Sequence, residues 1–142
     1  MKSIRDFSFS GKRVLLRVDF NVPMDEQKRI TDDARIRMVL PTIRYIQQEK
    51  GKLILCSHMG RPKGKRVADL SLAPVASHLE SLLGIKVTLA PDCVGPEVRA
   101  LVDKMVDGEI LLLENLRFHI EETANDPGFS EQLASLADVY IN

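Results

Sequence analysis

Residues 52–66, KLILCSHMGRPKGKR, divide into an apolar run and a cationic loop punctuated by glycines, and the boundary between them decides how the chain folds. The run KLILC at 52–56 is almost continuously hydrophobic and does not alternate with polar residues. Strands of that kind are buried on both faces, as in a parallel sheet covered by helices. Runs of the same character recur as RVLLRV at 13–18, KVTLA at 86–90, EILLL at 109–113 and DVYIN at 138–142.

Helix punctuation fills the intervals. Met38 to Glu49 reads as a helix, with Pro41 near its start and Gly51 beyond its end. Ser71 is expected to cap a helix with Leu72, Val75, Ala76, Leu79, Leu82 and Leu83 on its apolar face, Pro74 in its first turn and Gly84 as a left-handed stop. Gly95 and Pro96 open a helix carrying Val98, Leu101, Val102 and Met105, and Ser130 is expected to cap one carrying Leu133 and Leu136. Strand, helix, strand repeated four times predicts a three-layer α/β/α fold: a Rossmann-like, doubly wound parallel sheet with helices on both faces and right-handed crossovers. The fifth run continues to Asn142, so the sheet is expected to be incomplete at its carboxyl end.

Composition narrows the functional classes. At 142 residues and 44% hydrophobic content the chain makes one domain at most. Lysine plus arginine and aspartate plus glutamate stand at 20 each, and this net neutrality removes the broad cationic footprint of a nucleic-acid or membrane-surface protein. With five Phe, two Tyr and no Trp, stacking platforms for a polynucleotide are scarce too. Cys56 and Cys93 show no metal-ligand spacing and suggest a reducing compartment. MKSIRDFSFS is no signal peptide and ILLL is too short to span a bilayer, so the expectation is a cytoplasmic protein without a membrane partner.

The loop SHMGRPKGKR holds four cations in ten residues, which raises the question of what anion it would bind. Gly60, Gly64 and Lys65 echo a P-loop, but the spacing is one residue short, Arg66 replaces the hydroxyl residue and Pro62 removes an amide donor. Phosphate here would be held by side chains. In open α/β sheets ligands sit beyond the carboxyl ends of the strands. Those ends present Asp19 and Asn21 after the first run, His58, Arg61 and Lys63 after the second, and Asn115, Arg117 and His119 after the fourth. Arg35 and Arg37, near a helix start, could turn toward the same rim. Several guanidinium groups, a histidine and an amide beside one obvious carboxylate suit a small polyanion, since arginine grips phosphate or carboxylate with two parallel hydrogen bonds. Turn chemistry before a proline is the competing reading for Asp19 and Asn21. Glu114 is expected to support the Arg117 loop, His78 to face solvent on the polar side of its helix, and His119 has no assigned role.

In order and at matching intervals, RVLLRVDFNVP, ITDDARIR, LCSHMGRPKG and LLLENLRFH resemble the amino-terminal domain of the phosphoglycerate kinase family, from about Phe7 onward. The resemblance implies reversible phosphoryl transfer between 1,3-bisphosphoglycerate and ADP, giving 3-phosphoglycerate and ATP in glycolysis. It places the family's substrate-binding positions on Asp19, Asn21, Arg35, His58, Arg61 and Arg117, with Arg35 also stabilising the transferring group. It implies Mg-ADP or Mg-ATP as co-substrate, bound by a carboxyl-terminal domain outside residues 1–142, and a monomeric parent enzyme. On this reading residues 1–142 are a partial phosphoglycerate-binding domain, inactive alone. A dinucleotide-binding domain would share the architecture, but no G-x-G-x-x-G follows the first run.

Overall fold

The aliphatic runs become five parallel strands. The computed structural model, which describes residues 8–60, 68–119 and 126–141, arranges in order β1 (Arg13–Arg17), α1 (Ala34–Gln48), β2 (Lys52–Cys56), α2 (Ala73–Leu83), β3 (Val87–Leu89), α3 (Pro96–Asp103), β4 (Ile110–Leu112), α4 (Pro127–Ala134) and β5 (Val139–Ile141). Short 3-10 turns at Ala68–Leu70 and Leu116–Phe118 precede α2 and follow β4. The strands lie in the order β3-β4-β2-β1-β5, every neighbouring pair parallel.

Strand residues alternate between two cores. Val14 and Leu16 of β1 with Leu53 and Leu55 of β2 meet Ile36, Ile43 and Ile46 of α1 and Val75 and Leu79 of α2. Leu15, Ile54 and Leu111 face the opposite layer, against Val98 and Val102 of α3 and Phe129 and Leu133 of α4. Burial on both sides is why these strands read as unbroken hydrophobic runs, and each fully buried aliphatic side chain contributes about 1.5–3 kcal/mol. The three-layer expectation holds, and β5 lies at a sheet edge beside β1.

Three helix starts differ from the sequence reading. α1 begins at Ala34, a full turn before Met38, because Asp32 accepts the Ala34 amide at 3.0 Å. Pro41 therefore lies inside the helix on its exposed side. α2 starts at Ala73, and Ser71 is not its N-cap. Its hydroxyl accepts the Ala73 amide at 3.1 Å, while the Leu72 amide is taken at 2.7 Å by Glu114, from the turn after β4. α4 is capped by Asp126, whose carboxylate accepts the amides of Gly128 and Phe129, and Ser130 lies within the helix. Gly84 does end α2 in the left-handed region, and Gly95 with Pro96 does open α3. His78 is not a solvent-facing residue. It is half-buried and bonds Asp33 at 2.8 Å, tying α2 to the start of α1.

Candidate functional site

Every strand points its carboxyl end at one rim, and among the described residues the buried polar side chains, Ser57, Glu114 and Asn115, all follow β2 or β4 there. A buried polar group must be hydrogen-bonded, so each of these has been assigned a partner by the fold. Ser57 accepts the Phe20 amide at 3.0 Å and donates to the His58 carbonyl at 3.0 Å, joining the loops after β1 and β2. Glu114 accepts the amides of Leu72 and Asn115 and, at 2.6 Å, the Ser71 hydroxyl. Asn115 is turned wholly inward. It accepts the amides of Met59 and Arg117 and donates to the carbonyls of Met59 and Leu70. A ligand contact through Asn115, which its position beside the rim had suggested, is thereby replaced by a clasp between two loops.

The candidate ligand-binding residues hang from this framework. Asp19 accepts the Asn21 amide at 3.1 Å, so the expected turn chemistry is present, yet its side chain remains 59% exposed. Arg35 reaches from the first turn of α1 to the Asn21 carbonyl at 2.6 Å and to Asp19 at 3.5 Å. The side-chain oxygen of Asn21 accepts the Gly60 amide at 3.1 Å. Gly60 has φ +62, and a Cβ there would lie 2.7 Å from Leu70, so this close approach requires glycine. His58 is half-buried in the same loop. Arg117 is half-buried within the 3-10 turn, and its buried Nε has no hydrogen-bond partner among the described residues.

These contacts form one chain of hydrogen bonds from Arg35 through Asn21, Gly60, Met59 and Asn115 to Arg117. It brings Asp19, Asn21 and Arg35 into direct contact and joins the loops bearing His58 and Arg117 to them. Arg61, with Lys63, Lys65 and Arg66, lies outside the described residues. Arg37 does not turn to the rim; its Nε bonds Asp33 at 2.9 Å one helical turn away. A depression of about 210 Å³ opens beside Asn21, Pro23, Asp32 and Arg35. A wider groove of about 350 Å³, lined among others by Lys86, Lys104 and Glu109, lies toward the amino ends of β3 and β4, away from where open α/β sheets hold ligands. Ser57 was missed by the sequence reading, although a hydroxyl directly after an apolar run at the rim was the available signal.

The family model described as phosphoglycerate kinase matches residues 4–142. The phosphoglycerate kinase of Desulfotalea psychrophila is 64% identical over all 142 residues, and that of Moorella thermoacetica 59% identical over 99% of this chain. The chain spans 36% and 35% of those relatives' lengths. The crystal structure of phosphoglycerate kinase from Pyrococcus horikoshii superposes with a TM-score of 0.86 at 33% identity, covering 99% of this chain and 36% of that one. The structure of the Coxiella burnetii protein gives 0.85 at 34% identity, over 98% of this chain and 34% of that one. With a family match over residues 4–142 and a fold shared with solved members, the chain belongs to the phosphoglycerate kinase family.

Proposed function

We propose that residues 1–142 supply the 3-phosphoglycerate-binding part of a phosphoglycerate kinase, which moves a phosphoryl group reversibly between 1,3-bisphosphoglycerate and ADP. The observation that supports this reading is the set of hydrogen bonds that ties Arg35, Asn21, the Met59–Gly60 backbone, Asn115 and the Arg117 backbone amide into one rim, from which two guanidinium groups could meet a polyanion. Arg117 offers a buried N–H donor that finds no acceptor among the described residues, and a phosphate or carboxylate oxygen would supply one. Asp19 beside Arg35 can address the hydroxyl and Asn21 with His58 a second group, with Arg61 completing the set.

Phosphoryl transfer needs in-line positioning and cations against the equatorial oxygens more than covalent help. Arg35 is exposed, and its contacts among the described residues are a carbonyl and one ion pair at 3.5 Å, so it can release Asn21 and turn onto the transferring group. The magnesium nucleotide is a co-substrate bound by the portion of the relatives' length that residues 1–142 do not cover, and the parent enzyme is a cytoplasmic monomer of glycolysis. Residues 1–142 alone are accordingly inactive.

The experiment is Arg35→Ala in a chain extended to the relatives' length. Turnover is expected to fall by about 100-fold or more while the KM for 3-phosphoglycerate changes little, as for a contact made chiefly in the transition state. A rise in KM with unchanged turnover would remove Arg35 from catalysis. Calorimetric titration of residues 1–142 with 3-phosphoglycerate, competed by sulfate, tests the binding half; no heat at millimolar ligand would overturn it.

A further inference from the structure

Beyond the rim, the loop after β3 and the turn after β4 bring together three donors that the kinase reading does not use. Asp92 Oδ1 lies 2.7 Å from His119 Nε2. With Cys93 Sγ, one donor atom from each of the three residues lies within 4.8 Å of the others. Asp92 and His119 are 27 residues apart, so no local spacing in the sequence announces the cluster.

We propose that Asp92, Cys93 and His119 form a binding site for a divalent cation of the zinc class, with water in the remaining position. Thiolate, imidazole and carboxylate together favour zinc, cobalt or cadmium over magnesium or calcium, which prefer all-oxygen shells. A tetrahedral zinc with bonds of about 2.0–2.3 Å sets its donors about 3.2–3.6 Å apart. The 2.7 Å Asp92–His119 contact must open to reach that spacing, and the cluster as a whole, with donors within 4.8 Å of one another, must close on the cation.

The surroundings already hold the donors in place. The Asp92 carbonyl accepts the Glu114 amide at 3.2 Å, tying the two loops together, and the His119 ring packs on Phe129 with centroids 5.3 Å apart. The Asp92 carboxylate also accepts the Cys93 amide at 2.7 Å. A groove of about 320 Å³ along Val94, Asp126, Phe129 and Gln132 opens His119 to solvent, while Cys93 beside it is fully buried. A thiol ligates a cation only after losing its proton, so binding displaces the proton of Cys93. It also converts His119 Nε2 into a ligand. The chain holds its own comparison, since His78 and Asp33 form a similar pair at 2.8 Å with no thiol in a ligand cluster with them.

The test is titration of the reduced, chelator-treated chain with Co²⁺, followed by displacement with Zn²⁺. One equivalent is expected to produce thiolate-to-cobalt charge transfer in the near ultraviolet and intensified visible bands, both abolished by zinc. Cys93→Ser should abolish the charge transfer, and His119→Gln should weaken cobalt binding by more than about 100-fold, beyond the loss expected from an outer-shell partner. Asp33→Asn should leave both unchanged. Far-ultraviolet circular dichroism confirms the fold of each variant; should Cys93→Ser fail to fold, His119→Gln, at a half-buried position, carries the test. Absence of charge transfer at saturating cobalt, charge transfer that survives in the folded Cys93→Ser protein, or cobalt affinity that falls by less than about 100-fold in the folded His119→Gln protein overturns the site.

Discussion

Glu114 shows how much of the rim depends on a single side chain. It is 2% exposed, and its two oxygens satisfy two amides and one hydroxyl drawn from the β4 turn and the approach to α2. Hydrogen bonds to a charged acceptor contribute about 1.5–3 kcal/mol each at most, and orphaning buried donors adds their desolvation cost. Glu114→Ala is therefore expected to destabilise the fold by about 3 kcal/mol, read from urea midpoints, with Glu114→Gln losing roughly half as much because one acceptor oxygen remains. A change below about 0.5 kcal/mol, the range of ordinary surface substitutions, would show that the carboxylate is not what holds the two loops.

Between elements, α1 and α2 are joined by Asp33, which receives His78 at 2.8 Å and Arg37 at 2.9 Å, and by Arg44, which donates to the Leu82 carbonyl. The hydrogen bond from His78, and then that from Arg37, hold the Asp33 carboxyl below its ordinary value of 3.8 against the opposing effect of desolvation. The folded state thus binds this proton less readily than the unfolded chain. The resulting stability is fully present above 3.8 and disappears as pH falls through the lower folded value. The urea midpoint of Asp33→Asn should lie below the wild type at pH 6, and the gap should narrow as pH falls below 3.8 and shrink in high salt. A gap that is constant across this range would mean that the pair contributes through shape and not through charge.

For the molecule as a whole the exposed sheet edge at β5 matters most to association. There Tyr140 is 48% exposed, and Val139 and Ile141 are only half-buried. An aliphatic edge strand is a template for pairing with another chain, and a net charge of zero supplies no long-range repulsion to oppose it. The 142-residue polypeptide is expected to self-associate through residues 139–141, and Tyr140→Lys to suppress this. Sedimentation velocity across a concentration series decides the matter; a monomer at every concentration would overturn it.

Much of this was readable from the residues in order. Unbroken aliphatic runs require burial on both faces, which leaves a parallel sheet between two helical layers, and Gly84 or Gly95 with Pro96 mark helix ends because backbone restriction is local. The family resemblance rested on short motifs, and the match over residues 4–142 agrees with it. Hydrogen-bond partners are set by positions that approach only after folding. Asn115 looked like a rim residue until the Met59 and Leu70 backbones claimed it, and Ser71 looked like a cap until Glu114 arrived from the turn after β4. Asp92, Cys93 and His119 had no pattern at all in the chain, because parallel neighbours β3 and β4 bring together loops that a whole helix separates in sequence. Periodicity and punctuation act over a few residues and survive in a linear string, whereas satisfaction of buried polar groups is a property of the packed sheet.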